Sequence, residues 1–214
     1  PLCVAALNTP ADSASAAVLL TVLRDALFGA PGAADLLLPR VPLSSVLPDP
    51  AHRWLTGRGA RVLLSHRVQH LERKEACWQV DGANFDHVVV ATTAGEAARL
   101  TSVVAPDWAA MARAFSYQPI ITVWLRAAGV TWPHPMRALR ATPHHPAQFG
   151  FDLGALQGLP GTFGLVISGA GSWVNRGIAD CVLAVRNQLA QAFAGTRHWI
   201  ADDQVEVVAM RAEK

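Results

Sequence analysis

Residues 85–100 read FDHVVVATTAGEAARL, and no other stretch limits the fold as strongly. Successive valines at 88–90 lack the polar alternation of a half-exposed strand, so a strand buried on both faces is expected there. Ala91, Thr92 and Thr93 then make a turn, and GEAARL makes a helix. This is a strand-to-helix corner of the kind that lines nucleotide-binding sheets. Such a sheet needs a glycine-rich loop to admit a phosphate. The nearest candidate, FGLVISGAGSWV, offers Gly169 and Gly171 but has Val174 where a third glycine would let helix pack on strand. No acidic residue follows about 20 positions on to hold a ribose. That segment reads as an ordinary strand-to-helix turn.

Elsewhere the pattern alternates between helices and short strands. Thr9, Pro10 and Asp12 have the order of a helix start, with a cap, a proline at the first position and an acid facing the dipole. The helix is expected to run through AVLLTVLRDALF to Gly29 and, being apolar around most of its circumference, to be buried on more than one side. A proline-broken stretch, LLLPRVPLSSVLPDP, precedes a second helix, AHRWLTGR, opened by Asp49 and Pro50. From Gly59 the period becomes that of strands, with Asp81-Gly82 as a hairpin turn. PDWAAMARAF is a helix and YQPIITVWLR a strand. A loop rich in Pro and His follows, then strands at QFGFD and FGLVISG. A single long helix is expected over SWVNRGIADCVLAVRNQLAQAF, and a last strand at QVEVVAMR. The mixture gives an α/β fold with α+β character, in two lobes.

Composition removes several functions. The net charge is +2 over 214 residues and the arginines are scattered, so no basic footprint for nucleic acid is present. The three cysteines, Cys3, Cys77 and Cys181, form no C-x-x-C and no disulfide framework. Among the eight histidines, His144 and His145 are adjacent and His134 is near, but no carboxylate or cysteine completes a ligand set. His66 and His70 fall in strand texture, where residues four apart stand well separated. No metal is expected. Ser168 sits in V-I-S-G-A rather than G-x-S-x-G, and no acid–base pair can be chosen from Asp152, Asp202 and Asp203. The catalytic residues stay unassigned. No apolar run reaches the roughly 20 residues of a membrane span. Yet 51% of residues are hydrophobic and mean hydropathy is +0.25, which fits a large core, an apolar pocket or a face that meets a membrane. Phe115, Tyr117, Trp124 and Trp132 cluster around one apolar strand, either as core packing or as walls for an apolar ligand.

Several stretches resemble one family. GARVLLSHRVQHLE followed by FDHVVVATTAGEAARL is similar to the middle of flavin-containing amine oxidases and phytoene-desaturase-like enzymes, where G-x-x-V-x-L-x-x-x-V-x-x-L precedes D-x-V-V-x-A-T/V-P. With PLCVAALNTP, LLLPRVPLSSVLPDPAHRWL, YQPIITVWLR and VVAMRAEK, nearly the whole chain resembles the squalene-associated FAD-dependent desaturases, also described as hydroxysqualene dehydroxylases. The resemblance implies an FAD cofactor and a two-lobe amine-oxidase-like fold, with a mixed sheet and flanking helices. Residues 1–56 and 101–204 would build the substrate lobe, and 57–100 with 205–214 the FAD lobe. Val68 would contact the adenine side of FAD through its backbone, and Ala91, Thr92 and Thr93 would lie near the cofactor, although the family's proline in that turn is replaced here.

The family's G-x-G-x-x-G is not in the sequence. The chain also starts without methionine and stops within strand texture, so it is expected to be an internal piece that binds FAD weakly alone. An apolar isoprenoid is the implied substrate, with Tyr117 and Trp124 as pocket walls and Asn8 as a polar contact. The implied setting is the cytoplasm, free or in peripheral contact with the inner face of the membrane. A carotenoid desaturase or an amine oxidase is the near alternative, and a non-catalytic lipid-binding module the distant one.

Overall fold

A computed structural model of the chain describes residues 2–193 and 206–213. It divides into two units, Pro1–Ala51 with Gln118–Lys214, and His52–Tyr117. At the N-terminus α1 (Leu2–Leu7) packs on α2 (Ala16–Leu27), and α3 (Leu43–Val46) and α4 (Pro48–Thr56) follow.

Two expectations for α2 fail. Its cap is Ser15, whose hydroxyl accepts from the Val18 N–H at 3.4 Å. Thr9 is spent elsewhere, donating to the Leu7 carbonyl at 2.9 Å, and Asn8 turns the chain in the left-handed region at φ 51°. Nor is any residue of α2 buried, and Val18, Leu20, Leu27 and Phe28 are exposed. The apolar circumference states what the helix can cover, and the described chain supplies a neighbour for only part of it. The α4 helix forms where Asp49 and Pro50 predict and ends before Gly57.

In the unit His52–Tyr117, β1 (Leu71–Arg73), β2 (Trp78–Val80) and β3 (Ala83–Phe85) form an antiparallel sheet. Asp81 and Gly82 join β2 to β3, both at positive φ (46° and 85°), as a two-residue hairpin of primed type demands. Residues 88–90 do not form the predicted strand, and Val89 is 89% exposed. An apolar run favours extended backbone, but a strand exists only within a ladder, and no described segment pairs with this one. The helices α5 (Ala94–Thr101) and α6 (Pro106–Arg113) appear as expected and meet through Ala98, Ala109 and Ala112, small residues that let the helices approach closely.

The larger sheet holds β4 (Ile120–Arg126), β5 (Met136–Ala138), β6 (Phe149–Asp152), β7 (Thr162–Ile167) and β8 (Glu206–Glu213), in the order β5-β6-β7-β4-β8. Pairing is antiparallel throughout, so the α+β description is the closer one. The β5 strand falls inside the expected Pro- and His-rich loop. β8, assigned with residues 57–100 from the sequence, is hydrogen-bonded to β4.

Along β4 burial alternates, with Ile121, Val123 and Leu125 fully buried and joined across the sheet by Phe163, Leu165 and Ile167 of β7. The short α7 (Leu153–Gln157) lies between β6 and β7 and is capped by Asp152. The single long helix expected after β7 is two, α8 (Gly171–Arg176) and α9 (Ile178–Phe193), divided at Gly177, whose φ of 112° no helix accepts.

Helix α9 covers the sheet's buried face with Cys181, Val185, Leu189 and Phe193, spaced four apart on one side. Trp132, Phe163 and Phe193 stack with ring centroids 4.8–5.8 Å apart. A polar tie crosses this core. The Gln188 side chain accepts from the Ala147 N–H at 2.8 Å and donates to the Ala147 carbonyl at 2.9 Å. Replacing Gln188 by leucine leaves both backbone groups buried without a partner. Gln188→Leu is therefore expected to lower unfolding free energy by about 2 kcal/mol in a urea titration. Gly150→Ala is expected to destabilise as well, because a Cβ there would stand 2.4 Å from the Trp132 ring.

Candidate functional site

The segment 66–70 carries Val68 and belongs to no sheet, and side chains satisfy part of its backbone. The Asp81 carboxylate accepts from the N–H groups of Gln69 at 3.0 Å and His70 at 2.8 Å, and lies 3.2 Å from the His66 ring. The hairpin turn delivers this carboxylate, since Asp81 occupies the left-handed position an aspartate tolerates. Arg99 of α5 donates to the carbonyls of Val68 at 2.6 Å and Gln69 at 3.2 Å. Glu96, three residues earlier on the helix, holds Arg99 at 3.0 Å and Arg67 at 2.6 Å. Within 68–70 the Val68 N–H alone has no partner among the described residues. A cleft of about 520 Å³ borders the segment, lined in part by Gln69, His70, Arg99 and Ser102.

Ala91, Thr92 and Thr93 form the turn into α5. Thr93 is the N-cap residue in extended conformation, yet its side chain caps nothing, and the Thr92 hydroxyl donates to the Thr93 carbonyl at 3.2 Å. First-turn N–H groups of the helix are thus left without a side-chain cap, an electropositive end. Thr92 also lines a second cleft of about 460 Å³ in the same unit, with Val90, Ala97, Trp108, Met111 and Phe115. Tyr117, the last residue of this unit, is 51% exposed.

In the other unit the larger sheet has a second face. The register sets Met136, Phe151, Gly164 and Trp124 in one row and Ala138, Phe149, Val166 and Thr122 in the next. All point away from the core that α9 seals. Phe149, Phe151, Val166 and Trp124 are half-buried, so this face is apolar and aromatic with Thr122 as a polar member. Gly164 leaves room beside Trp124, whose indole edge would lie 3.6 Å from a Cβ at that position. Asn8, expected as a polar contact for substrate, gives its amide to the backbone, donating to the Gln118 carbonyl at 2.7 Å and accepting from the Gly169 N–H at 2.6 Å.

The glycine-containing turn after β7 is internally satisfied. The N–H groups of Ser168, Gly169 and Ala170 go to Gln148, Asn8 and Pro119, so these three are not available to a phosphate. Asp152 accepts from the backbone N–H groups of Trp132 at 3.0 Å and Ala155 at 3.2 Å, a structural role. Asp202 and Asp203 lie outside the described residues. Burial pushes the Cys181 thiol up to about 11, so at neutral pH it stays protonated and unreactive. Among the described residues no group of three or more His, Cys, Asp or Glu is placed to hold a metal, and no helix is long and apolar enough to cross a membrane.

The family model of the flavin-containing amine oxidoreductases matches residues 27–207, most of the chain and all of the features above except the Asn8 tie. The chain belongs to that family. Membership places it among flavin-dependent oxidoreductases. A search of curated proteins returned no match.

In this family member the sequence pointed to Val68 and the 91–93 turn but missed the side chains that hold the Val68 segment. Arg99 and Glu96 were visible as an i, i+3 ion pair on a helix, whereas their contacts with residues 67–69 join positions about thirty apart in the chain. Phe149, Phe151 and Gly164 were missed too, because only strand register sets them beside Trp124.

The charges of the clamp make it sensitive to acid. Hydrogen bonds from the backbone, first that of His70, hold the Asp81 carboxyl below its ordinary 3.8. The Arg99 guanidinium, then Arg67, holds Glu96 below its ordinary 4.5. Both folded values are depressed, so their stabilisation is present above those ordinary values and is lost as pH falls through the depressed ones. Asp81→Asn and Glu96→Gln are each expected to flatten the acid limb of stability below pH 4.5, read as urea midpoint against pH, and to leave its slope near pH 7 unchanged.

Proposed function

We propose that the protein is an FAD-dependent oxidoreductase acting on a C30 isoprenoid, replacing the hydroxyl of hydroxysqualene by hydride to give squalene, or performing a related desaturation. The observation that carries this is the half-buried aromatic face of the larger sheet, with Trp124, Phe149, Phe151 and Val166 around Gly164. A substrate with almost no polar handles needs area and shape, not a cluster of charges. The sequence resemblance to squalene-associated desaturases supports the same choice.

Bound FAD would supply the two-electron redox chemistry, and the residues of this chain would bind, orient and exclude water. Parts of the unit His52–Tyr117 fit the nucleotide. The Val68 N–H is free to donate, and the turn at Ala91, Thr92 and Thr93 leads into a helix end without a side-chain cap. Trp124 forms the wall of the substrate site, and Tyr117 is proposed to contact the substrate as well. The cytoplasm, with access to the inner face of a membrane, suits a substrate carried in lipid.

Two measurements check this. The flavin-loaded full-length protein, given a reductant and hydroxysqualene, is expected to release squalene. Oxidation of primary amines with no turnover of hydroxysqualene would sink the isoprenoid assignment and favour an amine oxidase. Trp124→Ala is expected to raise KM for the isoprenoid about tenfold with a smaller change in kcat, as loss of an apolar wall removes binding shared by ground and transition states.

A further inference from the structure

The segment 66–70 has no strand beside it, yet the carbonyls of 67–70 and the N–H groups of 69 and 70 are held. Asp81 takes the N–H groups of Gln69 and His70. The Asp81 backbone N–H in turn donates to the His70 carbonyl at 3.1 Å. The guanidinium of Arg99 spans the carbonyls of Val68 and Gln69, and Glu96 orients that guanidinium from behind. Among the backbone groups of 68–70 the Val68 N–H is left without a partner among the described residues, as are the N–H groups of His66 and Arg67 just before it. A planar fork with several donors can hold two carbonyls at once, whereas an ammonium is a point charge on a flexible stem.

We propose that Arg99 is a positioning residue for the adenosine half of FAD. It fixes the two peptide planes that follow Val68 through the carbonyls of Val68 and Gln69, and with the Gln69 amide donating to the Arg67 carbonyl at 3.1 Å this presents the Val68 N–H to the nucleotide in one orientation. The proposal rests on the flavin reading above and adds to it the residue that sets affinity without touching the ligand. Preorganisation of a donor improves affinity by removing the cost of ordering it on binding. Arg99 therefore matters to ligands that carry adenosine and not to those that lack it.

The test compares FAD, ADP and FMN binding to the full-length protein and its Arg99→Lys variant, by flavin fluorescence and by competition. FAD and ADP affinities are expected to fall about tenfold, with FMN affinity unchanged within about twofold. Equal losses for FAD and FMN, or a loss of thermal stability with all affinities preserved, overturn the proposal. If Arg99→Lys does not fold, Glu96→Gln keeps Arg99 and loosens its hold, and a preserved ratio of FAD to FMN affinity in that variant overturns the proposal equally. Arg113→Lys, which alters a guanidinium bonded to the Ala98 carbonyl in the same unit, is expected to leave all affinities unchanged. Wild-type protein that binds neither flavin sinks the flavin reading itself, whereas wild type that binds FAD beside an unaffected Arg99→Lys sinks only the role of Arg99.

Discussion

The larger unit depends on β4 having a neighbour on each side. Its backbone is hydrogen-bonded to β7 along one edge and β8 along the other, so every side chain of the strand is assigned to one face or the other. Ile121, Val123 and Leu125 go to the α9 side and are sealed there with β7's Phe163, Leu165 and Ile167. Ile120, Thr122 and Trp124 go to the opposite side by the same alternation. Core and the proposed substrate wall are thereby separated in one strand, since the odd positions make the core and the even positions face away from it.

The smaller unit solves a different problem. A segment of extended backbone with no ladder must still place its N–H and C=O groups, and in 66–70 charged side chains take over that work. Asp81 reaches it from a hairpin turn and Arg99 from a helix, so two elements that never meet in sequence are tied to one short stretch. Charge-assisted hydrogen bonds are stronger than neutral ones, and they make the stretch rigid while it stays beside open clefts. A ligand can then approach backbone that is ordered but not enclosed.

Much of the local structure was legible in the residues. Asp81-Gly82 specified its turn because both positions need positive φ, Pro106 opened α6, and IITVWLR formed the strand its residues predict. The failures share a cause. Thr9 resembles a helix cap, but its hydroxyl found the Leu7 carbonyl first and Ser15 took the cap. Three valines at 88–90 resemble a buried strand, but pairing requires a partner. The long amphipathic run after β7 was read as one helix because its period continues through Gly177, whose backbone turns left-handed.

The sequence by itself determined the flavin-containing amine oxidoreductase family and the kind of cofactor that family uses, because motif order and spacing survive without coordinates. It also determined the apolar character of the β4 strand. Only tertiary structure decided that Arg99, Glu96 and Asp81 hold the Val68 segment, and that Phe149, Phe151 and Gly164 share a face with Trp124. Those relations depend on strand register and on contacts between residues ten to forty positions apart. Chain closure sets them, and local pattern carries no trace of it.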